Sequence, residues 1–208
     1  MPKIVDHEQR RRELAEALWR VIAVSGPAAV SIRSVAAEAG LSPGALRHYF
    51  RTREELLVFA MELAEERVVA RVLHQRENQD PEATMVERVA AFAEQMLPLD
   101  RIRRAEYQAW EAAGLLGEDD PGRQERWDKQ RLLYRQLVAA LAGTAIATPH
   151  QPHPDPWVEE WAEHLHTYID GLALQLMVTP GLIGPEDVRR RLKTFLARIE
   201  ETRRRNPV

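Results

Sequence analysis

Residues 31–51 read SIRSVAAEAGLSPGALRHYFR, and this stretch decides the fold of the N-terminal part of the chain. Ser31 is a favoured N-cap residue, and the apolar residues that follow it recur at helical spacing. Gly40 can adopt the left-handed conformation that ends a helix, and Ser42-Pro43 is typical of a helix start. The stretch therefore predicts two short helices joined by a tight turn.

Helical periodicity continues on both sides of this stretch. Leu14, Leu18 and Ile22 predict a first helix, and Thr52 is a predicted N-cap of a long helix that reaches about residue 76. Gly and Pro clusters separate further predicted helices near residues 82–97, 100–115, 120–143, 155–179 and 185–204. No segment has the alternation of a strand. The sequence predicts an all-α chain of about nine helices.

Two helices joined by a turn that contains glycine form a helix-turn-helix, whose second helix enters the major groove of DNA. The apolar residues of the stretch can face one core, which leaves its small and polar residues outside. Small residues at 43–45 would let the helix backbone approach DNA, and Arg47 could read a guanine edge or grip a phosphate. The candidate DNA-binding residues are Ser31, Arg33, Ser42, Pro43, Gly44, Ala45, Arg47, His48, Tyr49, Arg51, Thr52 and Arg53.

Charge is distributed unevenly along the chain. Residues 1–53 carry nine Lys and Arg against five Asp and Glu, including a basic cluster of Lys3 and Arg10 to Arg12, whereas the whole chain has a net charge of −3. A basic module on an acidic body is expected where one end meets a polyanion such as double-stranded DNA. We predict a DNA-binding domain at residues 1–53 and a helical domain at 54–208. The alternatives are a solvated basic surface and a plain αα-corner.

The composition narrows the class of protein. The chain has 208 residues, 45% of them hydrophobic, which is ordinary globular composition. No apolar run approaches the roughly 18 residues of a membrane span, and the charged N-terminus lacks a signal-peptide pattern. Cysteine is absent, which is compatible with a reducing cytoplasm. We expect a soluble cytoplasmic protein with no membrane partner.

The motifs AEAGLS, G-x-L, HYF and R-E-E-L, within about residues 10–60, resemble the N-terminal signature of the TetR family of transcription regulators. Many members have Tyr after the Leu of G-x-L. Arg47 stands there instead, which resembles the branch that includes the betaine-synthesis regulators. Many members also have a phosphate-contacting Lys at the position of Arg53, so the resemblance implies a phosphate contact for Arg53. It further implies a dimeric, ligand-responsive regulator, most often a repressor.

The last two predicted helices are candidates for a homodimer interface. The segment from Trp157 to Val178 is apolar on more than one helical face, so it must be buried on several sides. The final helix repeats Val188, Leu192 and Ile199 on one stripe. An isologous dimer would present two recognition helices to a pseudo-palindromic operator. Alternatively, both helices belong to the core of a monomer.

Aromatic and Met side chains in the middle helices could line a pocket for a small-molecule effector, since ligand pockets are mostly apolar with a few polar groups. Such stripes are also typical of plain core. Asp170 either closes a structural bond or receives a cationic ligand. The candidate ligand-binding residues are Met96, Tyr107, Trp110, Trp127, Tyr134, His164 and Tyr168.

The sequence leaves two functions other than a regulator open. An enzyme would need a catalytic constellation, but His164 and His166 point about 200° apart on a helix, and His150 with His153 lie in a Pro-rich loop. There is no P-loop, H-E-x-x-H or G-x-S-x-G motif. We therefore expect no catalysis, no cofactor and no metal site. The second rival is a helical protein-interaction module whose helix-turn-helix no longer binds DNA.

Overall fold

The computed structural model describes residues 7–77, 80–114, 122–145, 148 and 151–205. These residues form nine α-helices and a 3-10 turn at Pro27–Ala29, and they contain no strand, so the predicted all-α fold is confirmed. The helices are α1 His7–Ser25, α2 Ile32–Glu38, α3 Pro43–Arg47, α4 Arg53–Glu77, α5 Met85–Gln95, α6 Arg101–Gly114, α7 Arg123–Ala142, α8 Pro156–Val178 and α9 Pro185–Arg205.

The predicted helix boundaries in the deciding stretch are confirmed. The first turns of α2, α3 and α4 are capped by hydroxyl oxygens of Ser31, Ser42 and Thr52, which accept backbone N–H groups at 3.0, 3.1 and 3.1 Å. Gly40 has φ of +67° in the turn between α2 and α3, a conformation that glycine adopts without a steric penalty. These local bonds make α2 and α3 short and place the turn between them.

The chain divides into two compact units. The first comprises Met1–Ala70 and Asp100–Glu118, and therefore includes α1, α2, α3, most of α4 and α6. One hydrophobic core joins residues of all five helices. Its fully buried members include Leu14, Leu18, Val35, Leu46, Phe50, Leu57 and Ala109. The alanines of α6 let this helix pack closely against α1.

The second unit comprises Arg71–Leu99 and Asp119–Val208. Within it α7 packs on α8, and α5 packs on α9. The buried carboxylate of Glu94 on α5 accepts two hydrogen bonds from Arg189 on α9, at 2.7 and 2.9 Å. A domain boundary between residues 53 and 54 stays a prediction.

The C-terminal half of α8 exposes apolar side chains. Leu174 is 54% exposed and Val178 is 69% exposed, and Leu182 lies exposed in the turn that follows. None of the helices in the described part of the chain is long and apolar enough to cross a lipid bilayer. Exposed apolar residues grouped as on α8 are typical of a contact with another protein surface.

Candidate DNA interface and ligand pocket

Helix α3 is held in place by two fully buried residues. Leu46 and Phe50 have no exposed surface, and the ring of Phe50 lies 5.3 Å from the ring of Phe59. Leu46 lies on α3 and Phe50 lies three residues after its end, and Pro43, Gly44 and Arg47 of α3 are exposed, so the start and the outer side of α3 face away from the core. The packing agrees with the predicted anchoring of α3, and its role as a recognition helix stays a prediction.

The structure exposes most of the predicted DNA-binding residues. Nine are exposed, namely Ser31, Arg33, Ser42, Pro43, Gly44, Arg47, His48, Arg51 and Thr52. The other three, Ala45, Tyr49 and Arg53, are half-buried. Exposure permits a contact with DNA without assigning it, so the individual roles stay predictions.

Gly44 occupies a position that the protein's own packing leaves open. A Cβ atom there would meet only the Ser42 hydroxyl oxygen, at 3.9 Å, which is an ordinary contact. Its backbone belongs to α3 and does not have positive φ. Neither internal space nor backbone conformation requires glycine here, so a requirement for a small residue would come from outside the protein.

Arg53 makes a structural contact that the sequence did not suggest. Its Nε donates to the carbonyl oxygen of Val30 at 2.9 Å, and its Nη2 donates to that of Pro27 at 3.4 Å. Val30 lies 23 residues earlier in the chain than Arg53 and Pro27 lies 26 residues earlier, and both lie at the 3-10 turn. Arg53 therefore ties the start of α4 to the segment that precedes α2. Its phosphate contact stays a prediction beside this role.

The basic cluster at the start of α1 is paired within the first unit. Arg10, Arg11 and Arg12 each lie within 4 Å of a carboxylate, at Glu13, Glu8 and Glu66 respectively. The guanidinium of Arg11 also lies over the ring of Phe59, at 4.1 Å. Their charges are thus partly neutralised by the fold. Lys3, the remaining member of this cluster, lies outside the described residues.

The candidate ligand-binding residues fall in both units. Tyr107 and Trp110 lie on α6 in the first unit, with ring centroids 5.9 Å apart, and Trp110 packs against that unit's core. The other five belong to the second unit. Of these, Met96 is half-buried at the end of α5. The ligand roles of these residues stay predictions.

His164 and Tyr168 both belong to α8 but have different surroundings. Tyr168 stacks flat on Phe195 of α9, with centroids 4.0 Å apart and an angle of 3° between the rings. Burial raises the pKa of Tyr168 above its ordinary value. His164 is exposed, and its ring lies 5.2 Å from that of Trp161.

Trp127 and Tyr134 of α7 are brought together by a residue that was not among the candidates, His166 of α8. The imidazole stacks on Tyr134 with centroids 4.3 Å apart and lies 5.2 Å from the indole of Trp127. His166 is 8% exposed. The sequence alone does not separate the two histidines, because His166 follows Ala162 by four residues and His164 follows Trp161 by three, and both spacings share a helical face.

A cavity of about 170 Å³ lies beside this aromatic group, between α7 and α8. The Nε2 atom of His166 is buried without a hydrogen bond to any described residue, although it lies 3.2 Å from Oδ2 of Asp170. The side chain of Asp170 is 47% exposed, so it is not the buried carboxylate that the sequence had raised. The cavity is lined by Trp127, Arg131, Arg135, Ala162, Glu163, His166, Thr167 and Asp170.

Glu159 contacts two guanidinium groups that line this cavity, those of Arg131 and Arg135. It accepts hydrogen bonds from Arg135 at 2.9 Å and from the backbone N–H of His153 at 2.6 Å, and it lies 3.7 Å from Arg131. Burial raises the pKa of Glu159, but the hydrogen bonds and the two guanidinium charges lower it further, so its pKa lies below the ordinary value. Glu159 is therefore ionised at neutral pH.

The loop histidines are not arranged as a metal site in the described part of the chain. His153 is buried, its Nε2 lies 3.0 Å from the carbonyl oxygen of Ala145, and its Nδ1 accepts the N–H of Asp155. These bonds place it in the structure of the loop. His150 lies outside the described residues. Among the described residues, no group of three or more His, Asp or Glu could hold a metal ion.

Comparison with known protein families matches both ends of the chain. Residues 85–200 match the model described as "BetI-type transcriptional repressor, C-terminal". Residues 14–58 match "Bacterial regulatory proteins, tetR family". The HTH-type transcriptional regulator PksA of Bacillus subtilis (strain 168) is 33% identical over 216 residues, covering 100% of both chains.

Solved structures share the fold over nearly the whole chain. A transcriptional regulator from Rhodococcus sp. Rha1 has a TM-score of 0.74 and 30% identity, covering 92% of this chain and 96% of that one. The multidrug binding protein EbrR, complexed with ethidium, has a TM-score of 0.60 and 27% identity, covering 89% of this chain and 98% of that one. The similarity therefore extends through both units.

Proposed function

We propose, since the chain belongs to the TetR family of transcriptional regulators, that it is a repressor that binds a pseudo-palindromic DNA operator as a homodimer. A small-molecule effector releases it from the operator. The observation that carries the DNA-binding part is the capped, outward-facing helix α3 on a buried Leu46 and Phe50 anchor. The first unit also carries the family match to bacterial regulators.

The DNA contact is made by the start and the outer side of α3, with flanking contacts from the start of α2. Gly44 lets the backbone of α3 approach the base edges, and Arg47 reads a base or grips a phosphate. Ser31 and Arg33 contact the flanking backbone, and the exposure of all four residues supports these roles.

The dimer forms through α8 and α9. Exposed apolar residues support this, because Leu174 and Val178 would be covered by a partner subunit. The flat stack of Tyr168 on Phe195 joins α8 to α9 within one subunit and supports a two-helix surface. Two such surfaces would form an isologous four-helix contact.

The effector binds the helical body. EbrR is 26% identical to this chain in its malachite green complex and 27% in its ethidium complex. It is described as a multidrug binding protein, and both ligands are aromatic cations. The cavity with Trp127 and His166 is a candidate for the corresponding function here. Helix α4 contributes residues to both compact units, and we propose it as the mechanical link between effector and DNA.

Linkage sets the size of the response. An effector that binds more tightly to a conformer with badly spaced recognition helices lowers operator affinity by no more than its differential affinity for the two conformers. We propose no catalytic activity for the protein, in line with a family of transcription regulators. Its location in the cytoplasm stays a prediction from the sequence.

Selection of bound duplexes from a random DNA pool tests the function. A palindromic consensus is expected, with affinity for it falling about 10³- to 10⁵-fold between 50 and 200 mM salt if the dimer neutralises about 6–10 phosphates. Absence of duplex binding even at low salt would favour the protein-interaction module instead. An operator affinity that stays constant at saturation of every small molecule that binds would refute the effector mechanism.

The dimer has its own test in Leu174→Glu. A charged side chain in an apolar contact between subunits should convert the dimer to a monomer, measured by light scattering after size exclusion. Leu73→Glu on α4, which changes an equally exposed leucine at 53%, is the matched control and should leave the dimer intact. A dimer that persists in Leu174→Glu would place the interface elsewhere.

A further inference from the structure

The cavity between α7 and α8 has two chemically different ends. Arg135 of α7 meets Glu159 of α8, whereas Trp127, two turns earlier, meets His166, two turns later. The two helices therefore run in opposite directions along the cavity. Guanidinium groups lie at one end, and an aromatic group with a carboxylate lies at the other.

The first end holds two guanidinium groups, those of Arg131 and Arg135. Glu159 carries one negative charge and serves two guanidinium groups, with Arg135 in hydrogen-bond contact. The distance of 3.7 Å between Glu159 and Arg131 is too long for a hydrogen bond. Glu163 lines the cavity as well with an exposed carboxylate, so the two guanidinium groups of this end face two carboxylates. Because Arg131 makes no hydrogen bond to Glu159, its guanidinium can donate to a carboxylate of a ligand.

The second end suits an ammonium group. Asp170 presents a half-exposed carboxylate, and Trp127 presents an indole that is 47% exposed at the cavity. A carboxylate and an aromatic face are the two groups that attract an alkylammonium ion. The buried Nε2 of His166, which has no hydrogen bond to a described residue, lies 3.2 Å from that carboxylate. Because this nitrogen is buried, a ligand would contact the carboxylate and the indole and not the imidazole nitrogen.

The dimensions limit the size of the ligand. The lining residues of α8 extend from Ala162 to Asp170, which is about 12 Å along the helix axis. An extended ligand of up to about 10 Å can lie along this length. The cavity volume of about 170 Å³ is similar to the roughly 150 Å³ that holds benzene in another protein. A flexible chain of about six to ten non-hydrogen atoms fits both limits.

We propose that this cavity binds an ω-amino carboxylate, a small zwitterion whose ammonium group contacts Asp170 and Trp127 and whose carboxylate contacts Arg131. The inference rests on the proposed function, because it assigns the chemical class of the effector. It differs from a site for an aromatic cation, since it requires an anionic group at the Arg131 end.

Calorimetric titration of the full chain at neutral pH with three probes of equal length tests the site. The zwitterion 6-aminohexanoate is expected to bind about tenfold or more tightly than hexylamine, which lacks the carboxylate, and than hexanoate, which lacks the ammonium group. Equal binding of either single-charge probe would overturn the proposal. So would the absence of binding by 6-aminohexanoate.

Two variants locate the bound probe. Arg131→Gln should lower the affinity for 6-aminohexanoate to that for hexylamine and leave hexylamine unchanged, whereas Asp170→Asn should weaken both by about tenfold. The matched controls are Arg123→Gln on α7 and Glu160→Gln on α8, which make the same charge changes away from the cavity and should retain the original affinity. Equal losses in the controls would refute this location.

Operator binding in the same samples separates this inference from the proposed function. If the protein selects a palindromic duplex but does not bind 6-aminohexanoate, the zwitterion site is wrong and the regulator stands. If 6-aminohexanoate binds as described but leaves operator affinity unchanged at saturation, the site stands and its role as the effector site is refuted.

Discussion

Replacing Gly44 by alanine separates the stability of α3 from its approach to DNA. A Cβ at this position meets only the Ser42 hydroxyl oxygen, at 3.9 Å, and the backbone is helical. Alanine is favoured over glycine inside a helix by about 0.8–1.0 kcal/mol, and less at the end of a short helix. The free energy of unfolding of Gly44→Ala should therefore stay equal or rise by up to about 1 kcal/mol.

The same methyl group should weaken operator binding. If the backbone of α3 lies against base edges at residue 44, the methyl group overpacks that contact, and overpacking costs about 1–3 kcal/mol. At about 1.4 kcal/mol per factor of ten, operator affinity should fall about 5- to 150-fold. Fluorescence anisotropy with a labelled operator measures the affinity, and urea unfolding measures the stability.

Gly114→Ala at the end of α6 is the matched control. A Cβ there meets nothing within 4 Å, and the residue lies in the same compact unit. It should leave operator affinity close to its original value, and its free energy of unfolding should stay equal or rise by up to about 1 kcal/mol, as for Gly44→Ala. An unchanged operator affinity in Gly44→Ala would refute the close approach, and a lower stability would refute the description of the space around Gly44.

The remaining predictions concern one DNA contact and two contacts of α9. Arg47→Ala should lower specific affinity more than non-specific affinity if Arg47 reads a base, and equal losses in duplex binding would make it a phosphate contact. Hydrogen bonding to Lys193 lowers the pKa of Glu87 to about 2. The stability that ionised Glu87 contributes is therefore complete above about pH 4.5 and is lost as the pH falls toward 2. The difference in unfolding free energy between the original chain and Glu87→Gln should shrink over that range in urea titrations. Arg189→Ala leaves the buried Glu94 carboxylate without two hydrogen bonds and should cost about 2–4 kcal/mol, whereas Arg189→Lys should cost less, both measured by urea unfolding.

The helices of the first unit could be predicted because their boundaries depend on neighbouring residues. A hydroxyl at Ser42 caps an N–H three residues away, and the left-handed Gly40 ends the helix before it. Such bonds are formed by adjacent sequence, so a local pattern is sufficient. The contacts of Arg53 with Val30 and Pro27 span more than 20 residues, and no local pattern predicts them.

The ligand candidates could be predicted only in part, for a physical reason. Helix α8 is apolar over much of its surface, so the sequence does not determine which side faces α7. The sequence favours His164 as a ligand residue, yet the packing buries His166 against Tyr134 and leaves His164 exposed. The charges of the cavity were missed because Arg131 on α7 and Asp170 on α8 come together only in the folded unit.

The membership of α6 in the first unit has a consequence for recombining regulators of this kind. The chain leaves that unit along α4 and returns to it at residue 100, and Ala105, Ala109 and Ala113 fill the same core as Leu14 and Leu18. A chimera made with a single crossover after α3 or α4 would give the transplanted DNA-binding head a foreign α6. The helix-turn-helix region is therefore exchanged with least disturbance when a second crossover transfers residues 100–114 together with it.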